Sequence, residues 1–173
     1  MSYTSMNELH PHRAVIQPVQ SGQSRPLWSV MIPTYNCADY LRETLNSVLT
    51  QDPGSELMQI EVVDDYSTLD DPEAVVKELG KGRVQFYRQP ENVGYIRNFE
   101  TCLQRSRGQL IHLLHGDDCV RDGFYRKMQG LFEEYPEIGA AKLGFVGYLL
   151  CRTHDCSGRF NSSRHPDSRS THV

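Results

Sequence analysis

Two pairs of adjacent carboxylates, Asp64-Asp65 and Asp117-Asp118, each follow an apolar run, IEVV in one case and LIHLLHG in the other. Neighbouring acids without a partner repel each other and raise at least one pKa. A divalent cation with a hard oxygen shell, Mg2+ or Mn2+, removes that cost, and it commonly takes one or two protein carboxylates together with the oxygens of a bound diphosphate. Gly116, just ahead of the second pair, lets the backbone come close to a ligand. The competing reading is that aspartates after strands form turns and cap helices. That reading accounts for either pair alone more readily than for both on one rim.

Two further groups belong to the same chemistry. Pro33-Thr34-Tyr35-Asn36 offers a rigid turn, an aromatic face on which a base can rest, and small polar groups. Arg97, which follows Asn92-Val93-Gly94, carries a charged fork suited to a base or a phosphate. Its alternative is a solvated helix arginine, the commoner outcome for any single Arg.

These residues must be positioned by regular elements, and the hydrophobic pattern supplies them. WSVMIP (28–33), IEVVDD (60–65), RVQFYR (83–88) and LIHLL (110–114) read as strands. Between and after them, helical spacing joins Leu41, Leu45, Val48 and Leu49, then Ile96, Phe99 and Leu103, then Phe124, Met128, Leu131 and Phe132. Asp71-Pro72-Glu73 supplies an N-cap, a proline at the first helical position and an acidic first turn, with Gly80 closing that helix. Gly108 is expected to end the third helix and Asp122 to cap the fourth. Strand and helix alternating four times imply right-handed crossovers and a mainly parallel sheet covered on both faces, an α/β three-layer sandwich. In such a sheet the residues after the carboxyl ends of the strands share one ligand-binding edge. Both aspartate pairs, PTYN and the turn before Arg97 fall there.

Composition bounds the rest. A chain of 173 residues with 38% hydrophobic content suits one domain with a real core. Lys+Arg 18 against Asp+Glu 22 gives a net charge of −4, and no basic block is dense enough to track a phosphate backbone, which disfavours nucleic-acid binding. The last 22 residues hold four Arg and two Asp, so the acidity is concentrated upstream. The cysteines Cys37, Cys102, Cys119, Cys151 and Cys156 form no CxxC pair and read as free thiols in a reducing, cytoplasmic setting. No apolar stretch reaches the ~18 residues of a membrane span.

PTYN, DYLRETLNSVLTQ, IEVVDDYST, NVGYIRN and LHGDD, in that order and spacing, resemble the nucleotide-sugar-binding part of a family 2 glycosyltransferase with the GT-A fold, over about residues 27 to 141. The resemblance implies metal-assisted, inverting transfer of a sugar from an NDP-sugar donor to a hydroxyl of a saccharide or other acceptor. It implies that Pro33, Tyr35 and Asp65 surround the nucleobase, Asp65 accepting from a base N–H. It places Arg97 near the base or phosphates, Asp117 on the ribose side of the donor, and Asp118 on a Mn2+ or Mg2+ ion bridging the diphosphate. Two positions depart from the pattern: His115 stands where an aspartate is common, and Tyr66 replaces the glycine of the VDDGS version.

The domain organisation expected is a flexible leader over residues 1–26, a GT-A domain over 27–141, incomplete at its C-terminal end, and an atypical tail over 142–173. The general base that such an enzyme places well downstream of the aspartate pair is not found, and the chain reads as a shortened or frame-shifted version of a longer enzyme. A nucleotide-sugar-binding fragment without turnover is one alternative. His154 and Asp155, alone or with Cys151 and Cys156, match no standard base or metal-ligand spacing. A signalling receiver domain also gathers aspartates at strand ends. It needs its acid pair after the first strand and a lysine after the fifth, whereas here PTYN follows the first and Lys142 comes too early. Neither GxGxxG nor GxxxxGK[ST] occurs, which argues against dinucleotide and P-loop binders.

Overall fold

The computed structural model describes Gly22, residues 24–142 and residues 149–152. The expected leader and tail lie largely outside the described residues, as do His154, Asp155 and Cys156.

The elements alternate as the pattern requires: β1 (Trp28–Thr34), α1 (Ala38–Leu49), β2 (Met58–Asp64), α2 (Pro72–Gly80), β3 (Gln85–Arg88), α3 (Tyr95–Arg105), β4 (Leu110–Leu113), α4 (Phe124–Glu134), β5 (Ala140–Lys142) and β6 (Leu149–Arg152). They form one six-stranded sheet of order β3-β2-β1-β4-β6-β5. The first four strands run parallel, while β6 pairs antiparallel with β4 and with β5. The mainly parallel α/β sandwich expected from the sequence is therefore the one observed.

The faces divide by the two-residue period of the strands. Val30, Ile32, Ile60, Val62, Leu110 and Leu114 pack with Leu41, Leu45 and Val48 of α1, Val75 and Val76 of α2, and Phe124, Met128 and Phe132 of α4. Met31, Val63, Ile111 and Leu113 face the other way, against Cys102 and Leu103 of α3. Each fully buried Val, Leu or Ile side chain contributes roughly 1.5–3 kcal/mol through removal from water. β1 and β2, buried along their whole length, carry the centre of the sheet.

The face toward α3 is polar at one end. Glu61, only 2% exposed, accepts from the Arg105 guanidinium, and its other oxygen accepts from the Gln59 amide at 3.0 Å. Ser29 donates to Gln59 at 2.6 Å and accepts from the Gly108 backbone N–H at 2.7 Å. These bonds fix the C-terminal end of α3 and the loop into β4. The helix ends at Arg105, so Gly108 acts differently from expectation: it allows close approach, since a Cβ there would lie 2.4 Å from the Ser29 backbone nitrogen. The fourth helix also departs from expectation. Gly123, not Asp122, is its N-cap, and the Phe124 N–H donates to the Gln51 side chain at 3.0 Å.

After β3 the chain returns to the other side of β1 to form β4, so β1 and β4 diverge at a topological switch point. In open α/β sheets the ligand crevice lies at such a point, beyond the carboxyl ends of the strands.

Candidate functional site

The loops after β1, β2 and β4 and the turn into α3 build this rim, and hydrogen bonds hold them together. Asp65 N–H donates to the Thr34 carbonyl at 2.9 Å, and Gly116 N–H donates to the Pro33 carbonyl at 3.1 Å, so the chain leaving β2 and the chain leaving β4 are both tied to the end of β1. A Cβ on residue 116 would sit 3.0 Å from Cys37 Sγ and from Thr34 Oγ1, and glycine is what permits that approach. Thr44 of α1 then donates to the Gly116 carbonyl at 3.0 Å.

The two acids of the first pair separate into different roles. Asp64 is completely buried and accepts from the Ser67 hydroxyl and from the Ser67 N–H at 3.0 Å, with Arg88 3.5 Å away. It organises the loop, and Ser67 in turn accepts from Asn36 N–H at 2.8 Å. Asn36, at φ 50°, accepts through its side chain from Thr68 and Leu69 N–H, an arrangement that favours the short polar side chains able to occupy the left-handed region. Tyr66 also has a positive φ, 65°, and its ring lies under the Arg88 guanidinium at 4.8 Å. Asp65 turns toward α3: its two oxygens accept from Val93 N–H at 2.8 Å and Gly94 N–H at 3.0 Å. The carboxylate thus sits at the helix N-terminus, where backbone donors and the helix dipole favour negative charge.

The second pair is brought together with a third donor. One ligand atom from each of His115, Asp117 and Asp118 lies within 4.8 Å of the others, His115 and Asp118 half-buried and Asp117 exposed. The Asp118 N–H donates to the His115 carbonyl at 3.0 Å, closing the turn. Two carboxylates and an imidazole nitrogen converging at this distance form a donor set that fits a divalent cation. The His115 ring also meets the Phe99 ring edge-on at 5.1 Å.

Of the residues expected to bind the donor, Tyr35 is half exposed at the rim, and Arg97 is exposed in the first turn of α3. Pro33 is buried in β1 and contributes its carbonyl. Asp65 is only 3% exposed. Two residues given no role in the sequence reading hold the scaffold: Asp70, which accepts from the Ala38 N–H at the start of α1 at 2.7 Å, and Asn98, which donates to the Val63 carbonyl at 2.9 Å. Their types gave a signal, since Asp near a helix start and Asn facing a strand end are both satisfied by backbone. Burial, outweighing the hydrogen bonds, pushes the Cys37 thiol up, and the charges of Asp117 and Asp70 add to this, which disfavours the reactive thiolate.

No helix among the described residues is long and apolar enough to cross a membrane. Comparison with known proteins adds the family. The sequence profile of Glycosyl transferase family 2 matches residues 29–165. An uncharacterised protein of Mycobacterium tuberculosis is 36% identical over 123 residues, covering 71% of this chain and 37% of that protein. The fold is similar to a mannosyltransferase from Pyrobaculum calidifontis in complex with GDP-Man and Mn2+ (TM-score 0.62, 21% identity, 79% of this chain and 47% of that one). It is similar also to the Staphylococcus aureus TarS 1–349 complex with UDP-GlcNAc (TM-score 0.62, 20% identity, 73% and 45%). The chain spans about two fifths of the length of the curated relatives it matches, 37% to 41% for four of them. With most of its length matched by the profile, this chain belongs to glycosyl transferase family 2.

Proposed function

We propose that this chain binds an NDP-sugar at the β1–β4 crevice and serves metal-assisted, inverting transfer of the sugar to an acceptor hydroxyl. The observation that carries the reading is the convergence of Asp117, Asp118 and His115 at the switch point of the sheet. Family membership and the NDP-sugars named for two structural neighbours support it.

The roles follow from charge and exposure. Tyr35, just past the end of β1 and its buried Pro33, presents an aromatic face to the base. Asp65, which keeps a second lone pair on each oxygen, accepts from a base N–H while holding the turn at Val93 and Gly94. Arg97 offers its fork to the base or the phosphates. Asp117, exposed, faces the ribose side, and Asp118 holds Mn2+ or Mg2+. As the donor bond breaks, positive charge grows on the anomeric carbon and negative charge on the departing diphosphate. The bound cation supplies the positive charge that stabilises that leaving group. Inversion requires a base on the acceptor hydroxyl, which the family resemblance puts downstream of Asp118. The cysteine spacing, which offers no CxxC pair, supports a reducing, cytoplasmic setting.

The test is a panel of UDP-, GDP- and dTDP-sugars with Mn2+, read by calorimetry for binding and by mass spectrometry for product. Metal-dependent binding with sugar transfer supports the full reading. Binding without product reduces it to donor binding, and no binding of any donor overturns it.

A further inference from the structure

We propose that His115 is itself a ligand of the divalent cation, and that its imidazole nitrogen tilts the centre away from Mg2+ toward borderline transition metals such as Co2+ and Zn2+. The proposal rests on the metal-assisted reading above and goes beyond it in naming a nitrogen donor and the selectivity that follows.

Three observations carry it. A nitrogen of His115 lies within 4.8 Å of a carboxylate oxygen of both Asp117 and Asp118, close enough for one ion to touch all three. The backbone between them is pinned at several points: Gly116 N–H to the Pro33 carbonyl, Thr44 to the Gly116 carbonyl, and Asp118 N–H to the His115 carbonyl. The ring is also braced by Phe99, on the helix whose N-terminus Asp65 holds, and a half-buried, edge-packed imidazole has little freedom to leave the cluster. The donors are thus set in place before an ion arrives.

The selectivity is a matter of donor chemistry. Carboxylate and water suit Mg2+ and Mn2+, whereas imidazole suits Zn2+, Co2+ and Ni2+, and affinities of nitrogen-containing sites rise from Mn2+ toward Cu2+. A histidine at residue 115, in place of an acid, removes one negative charge that would attract a hard cation and adds a donor that a softer one prefers. Mn2+ falls between these extremes.

The experiment is calorimetric titration of the tag-free 173-residue protein with Mg2+, Mn2+, Co2+ and Zn2+, alongside His115→Ala, His115→Asp and Asp118→Ala. The expected result is tighter binding of Co2+ and Zn2+ than of Mg2+. His115→Ala should lower Co2+ and Zn2+ affinity at least about tenfold, a loss that even outer-shell partners of metal ligands typically cause, and leave Mg2+ nearly unchanged. His115→Asp should collapse the Co2+/Mg2+ ratio, and it serves alone if the alanine variant does not fold. Binding that Asp118→Ala removes but neither His115 variant alters overturns the proposal and leaves the metal-assisted reading standing. An Asp118→Ala variant that binds every ion as the parent does, or a parent that binds none, overturns both.

Discussion

The Asp65 carboxylate holds the N-terminus of α3 through Gly94, whose N–H lies 3.0 Å from Oδ2, while the Val93 N–H lies 2.8 Å from Oδ1. A residue assigned to the nucleobase is thereby also the clamp that sets where Tyr95 and Arg97 stand. Asp65→Asn keeps the size but turns one acceptor into a donor facing a backbone N–H. The expected cost is about 1–3 kcal/mol of stability, as for a buried polar group left unsatisfied. Faster amide exchange at Val93 and Gly94 should accompany weaker nucleotide binding. Unchanged exchange there would show that the clamp is not what orders the turn.

Asp118 sits after β4 in a half-buried turn, and among the described residues its side chain ties no other element in place through a hydrogen bond or ion pair. Asp118→Ala should therefore abolish Mn2+-dependent binding of UDP in calorimetry while circular dichroism and the thermal midpoint stay near those of the parent. Retained affinity would remove Asp118 from the metal site.

Gly116 links the two sides. A Cβ there meets Cys37 Sγ and Thr34 Oγ1 at 3.0 Å and Thr34 Cβ at 3.1 Å, so each must move by a few tenths of an ångström. Gly116→Ala is expected to cost about 1–3 kcal/mol, the range for overpacking, and to weaken metal binding by displacing His115 and Asp118. Adding Cys37→Ala opens space on one side. The double variant should regain part of the loss, a coupling that a denaturation cycle measures directly.

The sheet was legible because its signals are local. WSVMI and IEVV are too apolar and too short for anything but buried strands between helices, and the order of elements then dictates crossovers and a shared rim. What was not legible depends on partners distant in sequence. Ile96 fits the helical spacing of Phe99 and Leu103, yet it is 58% exposed. Asn98 takes the inward position instead, because the Val63 carbonyl and the Gln89 amide need a partner there. Gln51 reaches α4 from the end of α1, which no pattern around Asp122 announces. The site follows the same rule. Asp117 and Asp118 stand at the rim as their position after a strand requires, but the division of labour between Asp64 and Asp65 is set by Ser67, Arg88 and the turn at Gly94.

His112 gives the last test, since its contribution to stability has a definite sign. It is fully buried in β4, stacked on Phe124 at 4.9 Å with Tyr125 Oη 3.3 Å from Nδ1, and burial lowers its pKa from 6.5 to about 3. The folded protein therefore keeps His112 neutral over a range in which the unfolded chain takes up a proton. Stability is complete above pH 6.5 and falls as pH drops from there toward 3, by about 1.4 kcal/mol per pH unit for one proton. His112→Leu removes this titration and leaves that of the carboxylates in place. Urea denaturation at pH 7.5 and pH 5.0 should show the parent losing about 2 kcal/mol more than the variant over that interval. Equal losses in the two proteins would mean that the folded state takes up the proton on His112 as readily as the unfolded chain does, against a neutral buried imidazole.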